Sequence, residues 1–219
     1  MTTGVVLFDL DGVLVNSAPL HVRAYEQVFS EAGIAFPEAA RTAVNQGKPR
    51  ADVIDIAAPG ASDEIRRALF DAKPSAVMRV LEGQDVAMPG ALHTLREIAS
   101  EGFPIGVVTN SATPGPWLGA AHLSRYVAVV VGREDVSEPK PSPEGYFSAA
   151  RQLDVPTSRC VVVEDSRDGW LAATRAGMHV FVLAPQRPGW VDADTEVLPE
   201  LAPAVLLRAC HDKGSGGPS

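Results

Sequence analysis

The stretch from Val5 to Leu14, with the sequence VVLFDLDGVL, constrains the fold of this chain more than any other. It opens with an unbroken apolar run of β-branched and aromatic residues, which is typical of a β-strand buried on both faces. Asp9 and Asp11 follow at the end of that strand, and Gly12 frees the backbone to turn. Because buried carboxylates need partners, this pair calls for a cation, hydrogen-bond donors or a catalytic role. Two acids that merely cap a loop are the simpler alternative.

The residues that follow the first strand have helical periodicity only. The predicted helices cover residues 17–32, 37–43, 51–57 and 62–81. Pro74 lies inside the last of these and predicts a kink or the start of a new helix. No convincing strand occurs between residues 16 and 86, so this part of the chain is predicted to form a helical domain.

From residue 87 onward, strands and helices alternate, with strands predicted at residues 104–109, 127–131, 160–164 and 179–183. This alternation is typical of βαβ units and a parallel sheet, and the first strand needs these later strands as partners. The predicted fold is therefore α/β, a doubly wound parallel sheet with a helical cap inserted after strand one. The predicted core is residues 1–15 and 87–210, the cap is residues 16–86, and the Gly/Ser/Pro-rich residues 211–219 form a disordered tail.

Polar side chains cluster where the predicted strands end or in the loops nearby. They are Asp9, Asp11, Thr109, Asn110, Ser111, Lys140, Glu164, Asp165 and Asp168. The carboxyl ends of parallel strands share one edge, where α/β proteins bind ligands. Several carboxylates favour a hard divalent cation such as Mg²⁺, while ammonium, hydroxyl and amide donors suit phosphate oxygens. Singly, Thr109–Ser111 could be a turn, Lys140 a solvated charge and Asp168 a first-turn helix carboxylate.

Four segments of the chain resemble, in the same order, the four motifs of the haloacid dehalogenase superfamily. They are Asp9-Leu10-Asp11-Gly12-Val13-Leu14, Thr109-Asn110, Lys140-Pro141 and Glu164-Asp165-Ser166. The resemblance extends from about Val5 to Leu183. It implies that Asp9 is the nucleophile, that Asp11 is the general acid and base, and that Thr109 and Lys140 hold the transferring phosphoryl group. Asn110 and Ser111 are expected to supply further donors to the substrate.

The resemblance also implies a Mg²⁺ ion bound by Asp9, the backbone carbonyl of Asp11 and Asp165. Glu164 is expected as an additional acid in or just behind the ligand shell, and whether Glu164 or Asp168 contacts the metal directly stays open. Haloacid dehalogenases and phosphonoacetaldehyde hydrolases lack an acid at the position of Asp11, so the resemblance favours phosphoryl transfer.

The helical insert resembles the cap of the phosphoglycolate phosphatase and β-phosphoglucomutase branch of this superfamily. His21, Arg50 and Lys73 resemble cap positions that contact the substrate or assist proton transfer. Each has a plainer alternative: His21 can be a packing residue, and Arg50 and Lys73 can be solvated charges beside a turn or a proline. Such residues occur in phosphatases and mutases alike.

The composition of the chain limits the classes of partner that it is expected to bind. The net charge is −8 and no basic stripe is present, which argues against nucleic acid and anionic membranes as partners. No apolar run reaches the about 18 residues of a membrane span, and the first residues lack the basic region of a signal peptide. Two cysteines are too few for a disulfide framework. A cytoplasmic monomer or weak dimer that binds a small phosphorylated metabolite is expected.

Three functions are compatible with these features. The first is a Mg²⁺-dependent phosphatase that hydrolyses a small phosphomonoester, a sugar phosphate in particular, through an aspartyl-phosphate. The second is a β-phosphoglucomutase-like mutase, in which the same intermediate phosphorylates a bound sugar instead of water. The third is a non-catalytic phosphate-binding module that retains the fold, because a fold alone does not determine function.

Overall fold

The computed structural model describes residues 4–215, which divide into two compact units. The first unit contains the chain up to Val15 and resumes at Val86, and the second is Asn16–Asp85. Val86 therefore belongs to the first unit, whereas the sequence analysis assigned it to the cap.

The first unit is built on one parallel sheet of six strands in the order β3-β2-β1-β4-β5-β6. The strands are β1 (Val5–Phe8), β2 (Ile105–Val108), β3 (Val129–Val131), β4 (Cys160–Glu164), β5 (His179–Leu183) and β6 (Glu196–Leu198). The first strand is central: Phe8 pairs with Val107 of β2 on one side and with Val163 of β4 on the other. This topology confirms the predicted doubly wound α/β fold.

Strands β1, β2 and β4 are buried along their whole length, which explains why they are unbroken apolar runs rather than alternating ones. The helices of this unit are α5 (Ala91–Ser100), α6 (Pro114–Ala120), α7 (Glu144–Gln152), α8 (Arg167–Arg175) and α9 (Pro203–Ser215). One core cluster joins Leu7 and Val162 of the sheet to Tyr146 of α7 and Ala172 of α8. Helices α5 and α9 contact each other and neighbouring strands.

Two elements of the first unit were missed by the sequence analysis. Strand β6 has three residues at the edge of the sheet, too few to show a period. Helix α9 buries Leu206 and Cys210, which lie four residues apart on one face of the helix. The disorder predicted from residue 211 is therefore wrong for residues 211–215, and residues 216–219 lie outside the described part of the chain.

The second unit consists of four helices, as the sequence predicts. They are α1 (Ala18–Glu31), α2 (Glu38–Asn45), α3 (Arg50–Ala57) and α4 (Asp63–Leu81). Helix α1 packs against α2 and α4, and α3 packs against α2 and α4. Between α1 and α2, Phe36 stacks on the ring of Tyr25 with the ring centroids 5.5 Å apart.

Helix α4 does not end at Pro74 but continues through it to Leu81. The predicted start of a new helix at this proline is therefore wrong. A proline inside a helix cannot donate to the carbonyl four residues earlier, here that of Phe70. The guanidinium of Arg50 donates to this carbonyl instead, with Nη1 and the oxygen 3.1 Å apart.

Among residues 4–215, no helix combines the length and the apolar character that crossing a membrane would require.

Candidate active site

The turn after β1 places its two acids by backbone hydrogen bonds. The Asp9 N–H donates to the Val163 carbonyl at 3.0 Å, which continues the pairing of β1 with β4, and the Gly12 N–H donates to the Val15 carbonyl at 2.9 Å. Gly12 has φ +83°, and a Cβ there would come within 2.0 Å of the Asp165 carboxylate. Position 12 therefore requires glycine both for its backbone conformation and for the close approach of Asp165.

Lys140 is buried among oxygen atoms and is not a solvated loop charge. Its Nζ donates to Asp9 Oδ1 at 2.6 Å, to the Val108 carbonyl at 2.7 Å and to Glu164 Oε1 at 2.5 Å. Its side chain is only 6% exposed. An ammonium group has three protons, so these three acceptors use its full donor capacity. Burial by itself would lower the pKa of Lys140, but the two carboxylates raise it above its usual value.

Glu164 is fully buried at the end of β4, and its carboxylate is surrounded by donors and by a close glycine. Besides Lys140, the Tyr146 hydroxyl donates to Oε1 at 2.5 Å, and the Ser166 hydroxyl donates to Oε2 at 3.3 Å. Gly169 of α8 lies so close that a Cβ there would overlap the carboxylate. This environment makes Glu164 the buried counter-ion of Lys140.

Asp9, Glu164 and Asp165 form a cluster in which one carboxylate oxygen of each lies within 4.8 Å of the others. Burial raises the pKa of Asp9 well above its usual value, the Lys140 charge opposes this shift, and the neighbouring acids add to it. Burial and the nearby Glu164 raise the pKa of Asp165 to about 7. One ammonium group therefore does not offset the negative charge gathered here.

The end of β2 brings Thr109 to the second acid. The Thr109 hydroxyl donates to Asp11 Oδ2 at 3.3 Å and accepts from the Ser111 N–H at 3.0 Å. Asn110 is placed differently from its predicted role, because its side chain binds the backbone of Lys140. Its Oδ1 accepts from the Lys140 N–H at 3.0 Å and its Nδ2 donates to the Lys140 carbonyl at 3.4 Å. In this arrangement Asn110 holds the lysine loop.

A second cluster of predicted residues lies within the helical unit. Lys73 is buried, and its Nζ lies 2.7 Å from His21 Nδ1 and 4.8 Å from the centre of the Tyr25 ring. Burial, Lys73 and Arg50 lower the pKa of His21 to about 3. The ring is therefore neutral at ordinary pH, and Nδ1 accepts a hydrogen bond from the ammonium group.

Arg50 has a packing role within the helical unit. Besides donating to the Phe70 carbonyl, its guanidinium lies 4.4 Å from the centre of the Phe70 ring. Both contacts hold the side chain against α4. The structure thus gives Arg50 a local function that neither of its two sequence-based interpretations included.

The first unit thus brings the ordered motif residues to one edge of the sheet, and comparison with known proteins identifies the family. A family model described as haloacid dehalogenase-like hydrolase matches residues 3–177, well over half of the chain. The chain belongs to this hydrolase family. This finding confirms the superfamily that the four motifs predict.

Curated relatives of this haloacid dehalogenase-like hydrolase include two phosphatases. Validoxylamine A 7'-phosphate phosphatase of Streptomyces hygroscopicus subsp. limoneus is 29% identical over 199 residues, covering 89% of this chain and 92% of the relative. Phosphoglycolate phosphatase of Escherichia coli K12 is 32% identical over 202 residues, covering 78% of this chain and 77% of the relative. These relatives support the predicted enzyme class, a phosphatase of this superfamily.

Solved structures of the same fold include two further proteins. CbbY of Rhodobacter sphaeroides in complex with phosphate superposes with a TM-score of 0.78 at 24% identity, over 95% of this chain and 99% of the other. A β-phosphoglucomutase of Clostridium difficile superposes with a TM-score of 0.75 at 18% identity, over 96% of this chain and 98% of the other. At these identities the likeness concerns the fold.

Sequence reasoning missed two members of the hydrolase site. In the sequence, Tyr146 looks like a residue of the apolar face of α7. The second member is the backbone carbonyl of Val108, which no side chain identifies. Both contact the charged groups only because the fold brings the end of β2 and the start of α7 beside Lys140. Asp168, by contrast, is exposed in the first turn of α8 and is not a member of the carboxylate cluster.

Proposed function

We propose that this hydrolase is a Mg²⁺-dependent phosphatase that cleaves small phosphomonoesters, sugar phosphates in particular, through a phosphoryl group carried on Asp9. The observation that supports this proposal best is the contact between Asp9 and Lys140 at 2.6 Å, within a group of carboxylates that includes Glu164 and Asp165. The ammonium favours the ionised carboxylate, which is the form able to attack phosphorus.

A magnesium ion fits the residues present. The carboxylate oxygens of Asp9 and Asp165 are hard ligands, and together with Glu164 they form a group of three acids close enough to share one cation. These two carboxylates and the Asp11 carbonyl would hold the ion, while Glu164 is already engaged by Lys140 and Tyr146. When bound, Mg²⁺ supplies positive charge that offsets the negative charge of the phosphoryl oxygens.

The reaction then divides between the two acids of the first loop. An oxygen of Asp9 forms a bond to phosphorus, the ester bond breaks, and Asp11 gives its proton to the leaving oxygen. Asp11 next takes a proton from water, and the resulting attack on phosphorus frees Asp9 and releases phosphate. The Thr109 hydroxyl donates to Asp11 at 3.3 Å, and in the proposed reaction it would donate to a phosphoryl oxygen once the substrate binds.

Lys140 contributes chiefly by holding Asp9. Since its three protons already have acceptors, contact with a phosphoryl oxygen requires it to give up one of them. The arrangement favours a role in which the ammonium orients the nucleophile before the substrate arrives and shares its charge with the phosphoryl group afterwards.

The substitution Asp9→Asn tests the nucleophile. We expect the variant to keep its circular dichroism spectrum and to release no phosphate above background, because an amide oxygen is a poor nucleophile. Phosphate release would be measured on a panel of sugar phosphates, phosphoglycolate and an aryl phosphate, with Mg²⁺ or with EDTA. Turnover by the variant at the wild-type rate, or turnover undiminished by EDTA, would contradict the proposal.

The same panel distinguishes the two alternative functions. With β-glucose 1-phosphate and a bisphosphate primer, isomerisation without phosphate release indicates a mutase, whereas phosphate release indicates a hydrolase. Absence of turnover on every compound would favour the non-catalytic phosphate-binding module.

A further inference from the structure

The hydroxyl of Tyr146 is buried against the ion cluster of the core. Tyr146 is fully buried on α7, and its hydroxyl donates to Glu164 Oε1 at 2.5 Å. The same oxygen accepts from Lys140 Nζ at 2.5 Å. Two donors therefore meet at one carboxylate oxygen that has no exposure to solvent.

The Tyr146 ring packs in the core with its centre 5.2 Å from Lys140 Nζ, a contact that a phenylalanine ring would keep. The ring belongs to the apolar cluster that also contains Leu7, Val108 and Val162. A phenylalanine would fill this space equally well, and it would avoid burying a hydroxyl. The polar atom is therefore the part of this residue that packing leaves unexplained.

The two hydrogen bonds at Oε1 fix the direction of the Glu164 carboxylate, and Glu164 in turn fixes Lys140. Lys140 reaches Asp9 at 2.6 Å with another proton of its ammonium group. A hydrogen bond to a charged acceptor in a dry site is strong and directional, so each member of this series restricts the next.

We propose that Tyr146 is a positioning residue for phosphoryl transfer: its hydroxyl fixes Glu164, Glu164 fixes Lys140, and Lys140 orients the attacking carboxylate of Asp9. This inference rests on the proposed function of Asp9 as the nucleophile. It assigns a role to a side chain that lies outside the four sequence motifs.

The variant Tyr146→Phe removes one oxygen atom and keeps the ring. Because misplacement of a reacting group slows the chemical step, we expect kcat to fall about tenfold. KM should change less than about twofold, because the hydroxyl touches no substrate and acts only on the orientation of Asp9. The matched control is Tyr126→Phe, which removes a hydroxyl from the same unit, outside this cluster, and should leave kcat unchanged.

A spectroscopic measurement separates positioning from a merely structural role. The chain contains four lysines, so ¹⁵N-lysine labelling gives a simple spectrum. Substituting Lys48, Lys73 and Lys213 in turn assigns the remaining ammonium signal to Lys140. In Tyr146→Phe this signal should shift or broaden through faster proton exchange. The lost hydrogen bond also lowers the denaturation midpoint, so both proteins are compared under conditions where the variant is fully folded.

Wild-type enzyme assayed in parallel separates the two proposals. If the wild type hydrolyses none of the phosphomonoesters, the proposed function itself fails. If the wild type turns over and Tyr146→Phe is equally fast, or if the Lys140 signal does not change, the positioning role is wrong. A loss of activity that matches the unfolded fraction of the variant would equally overturn it.

Discussion

Lys140 shows how a single residue can satisfy a sequence motif and still act differently from the motif's simplest interpretation. The resemblance predicts a phosphoryl-binding cation, and the structure places the ammonium between two carboxylates and a carbonyl. The compact ammonium group suits this site because its three donors point in three directions. The planar guanidinium of an arginine would not match these acceptors, so Lys140→Arg is not a conservative change here.

His21 gives a pH-dependent prediction at the residue scale. Its pKa is lowered from 6.5 to about 3 in the folded protein, so below 6.5 the unfolded chain binds a proton that the folded chain does not. The folded state keeps its full stability above about pH 6.5, where His21 is neutral in both states. That contribution to stability is lost as the pH falls from 6.5 toward 3. At about pH 5 this linkage costs the wild type about 2 kcal/mol relative to neutral pH.

The matched variant for this prediction is His21→Gln, whose amide oxygen can accept from Lys73 without titrating. Urea unfolding at several pH values, followed by circular dichroism, measures the difference between the two proteins. The wild type should lose more stability on acidification than the variant. Parallel pH profiles would show that His21 does not titrate as described.

At the element scale, helix α4 depends on a side chain from another helix. Pro74 removes the donor for the Phe70 carbonyl, and Arg50 of α3 supplies one. The helix can therefore pass through a proline without leaving this carbonyl unpaired. The apolar stripe of α4 was visible in the sequence, but the compensation was not, because it joins positions in two different helices.

The coupling between Arg50 and Pro74 can be measured with a double-mutant cycle. Arg50→Met should destabilise the protein by about 0.5–1 kcal/mol, because the exposed Phe70 carbonyl exchanges its protein donor for water. In the Pro74→Ala background the backbone N–H returns, so the same substitution should cost clearly less. Free energies of unfolding for the four proteins give the interaction term. Equal costs in both backgrounds would contradict the coupling.

At the scale of the whole molecule, the architecture was far more predictable than the connections within the site. Buried parallel strands are unbroken apolar runs that end in polar residues, so the sheet and the edge that carries Asp9, Thr109 and Glu164 followed from the sequence. The short edge strand β6 and the role of Tyr146 did not follow. Their positions depend on pairing and packing between distant segments, which a local pattern does not contain.

The charge balance of the core predicts how metal affects the stability of the protein. Without a divalent cation, ionising Asp165 costs free energy because its pKa in the folded state is about 7. The metal-free protein should therefore become less stable as the pH rises from about 4 through 7. Mg²⁺ that binds only the folded state restores stability, by about 2.7 kcal/mol at a hundredfold excess over its Kd.

Thermal unfolding with EDTA and with Mg²⁺ tests this expectation. The control is Asp165→Asn, which removes one of the buried charges. In EDTA at about pH 8 the variant should melt at a higher temperature than the wild type, and Mg²⁺ should raise the melting temperature of the wild type only. A metal-independent wild-type midpoint would argue against the magnesium site.

The burial of Lys140 with the carboxylates of Asp9 and Glu164 also affects how this protein can lose its activity during evolution. Removing Lys140 alone would leave Asp9 and the fully buried Glu164 without their cation, and breaking such a buried group costs about 3–5 kcal/mol. Selection for folding therefore preserves this lysine even in a gene copy that no longer needs to catalyse. Asp11 is different, because it is half-buried and its charge raises the pKa of Asp9, so its loss relieves repulsion. In a descendant that no longer transfers phosphoryl groups, we expect the acid at position 11 to be lost before the lysine.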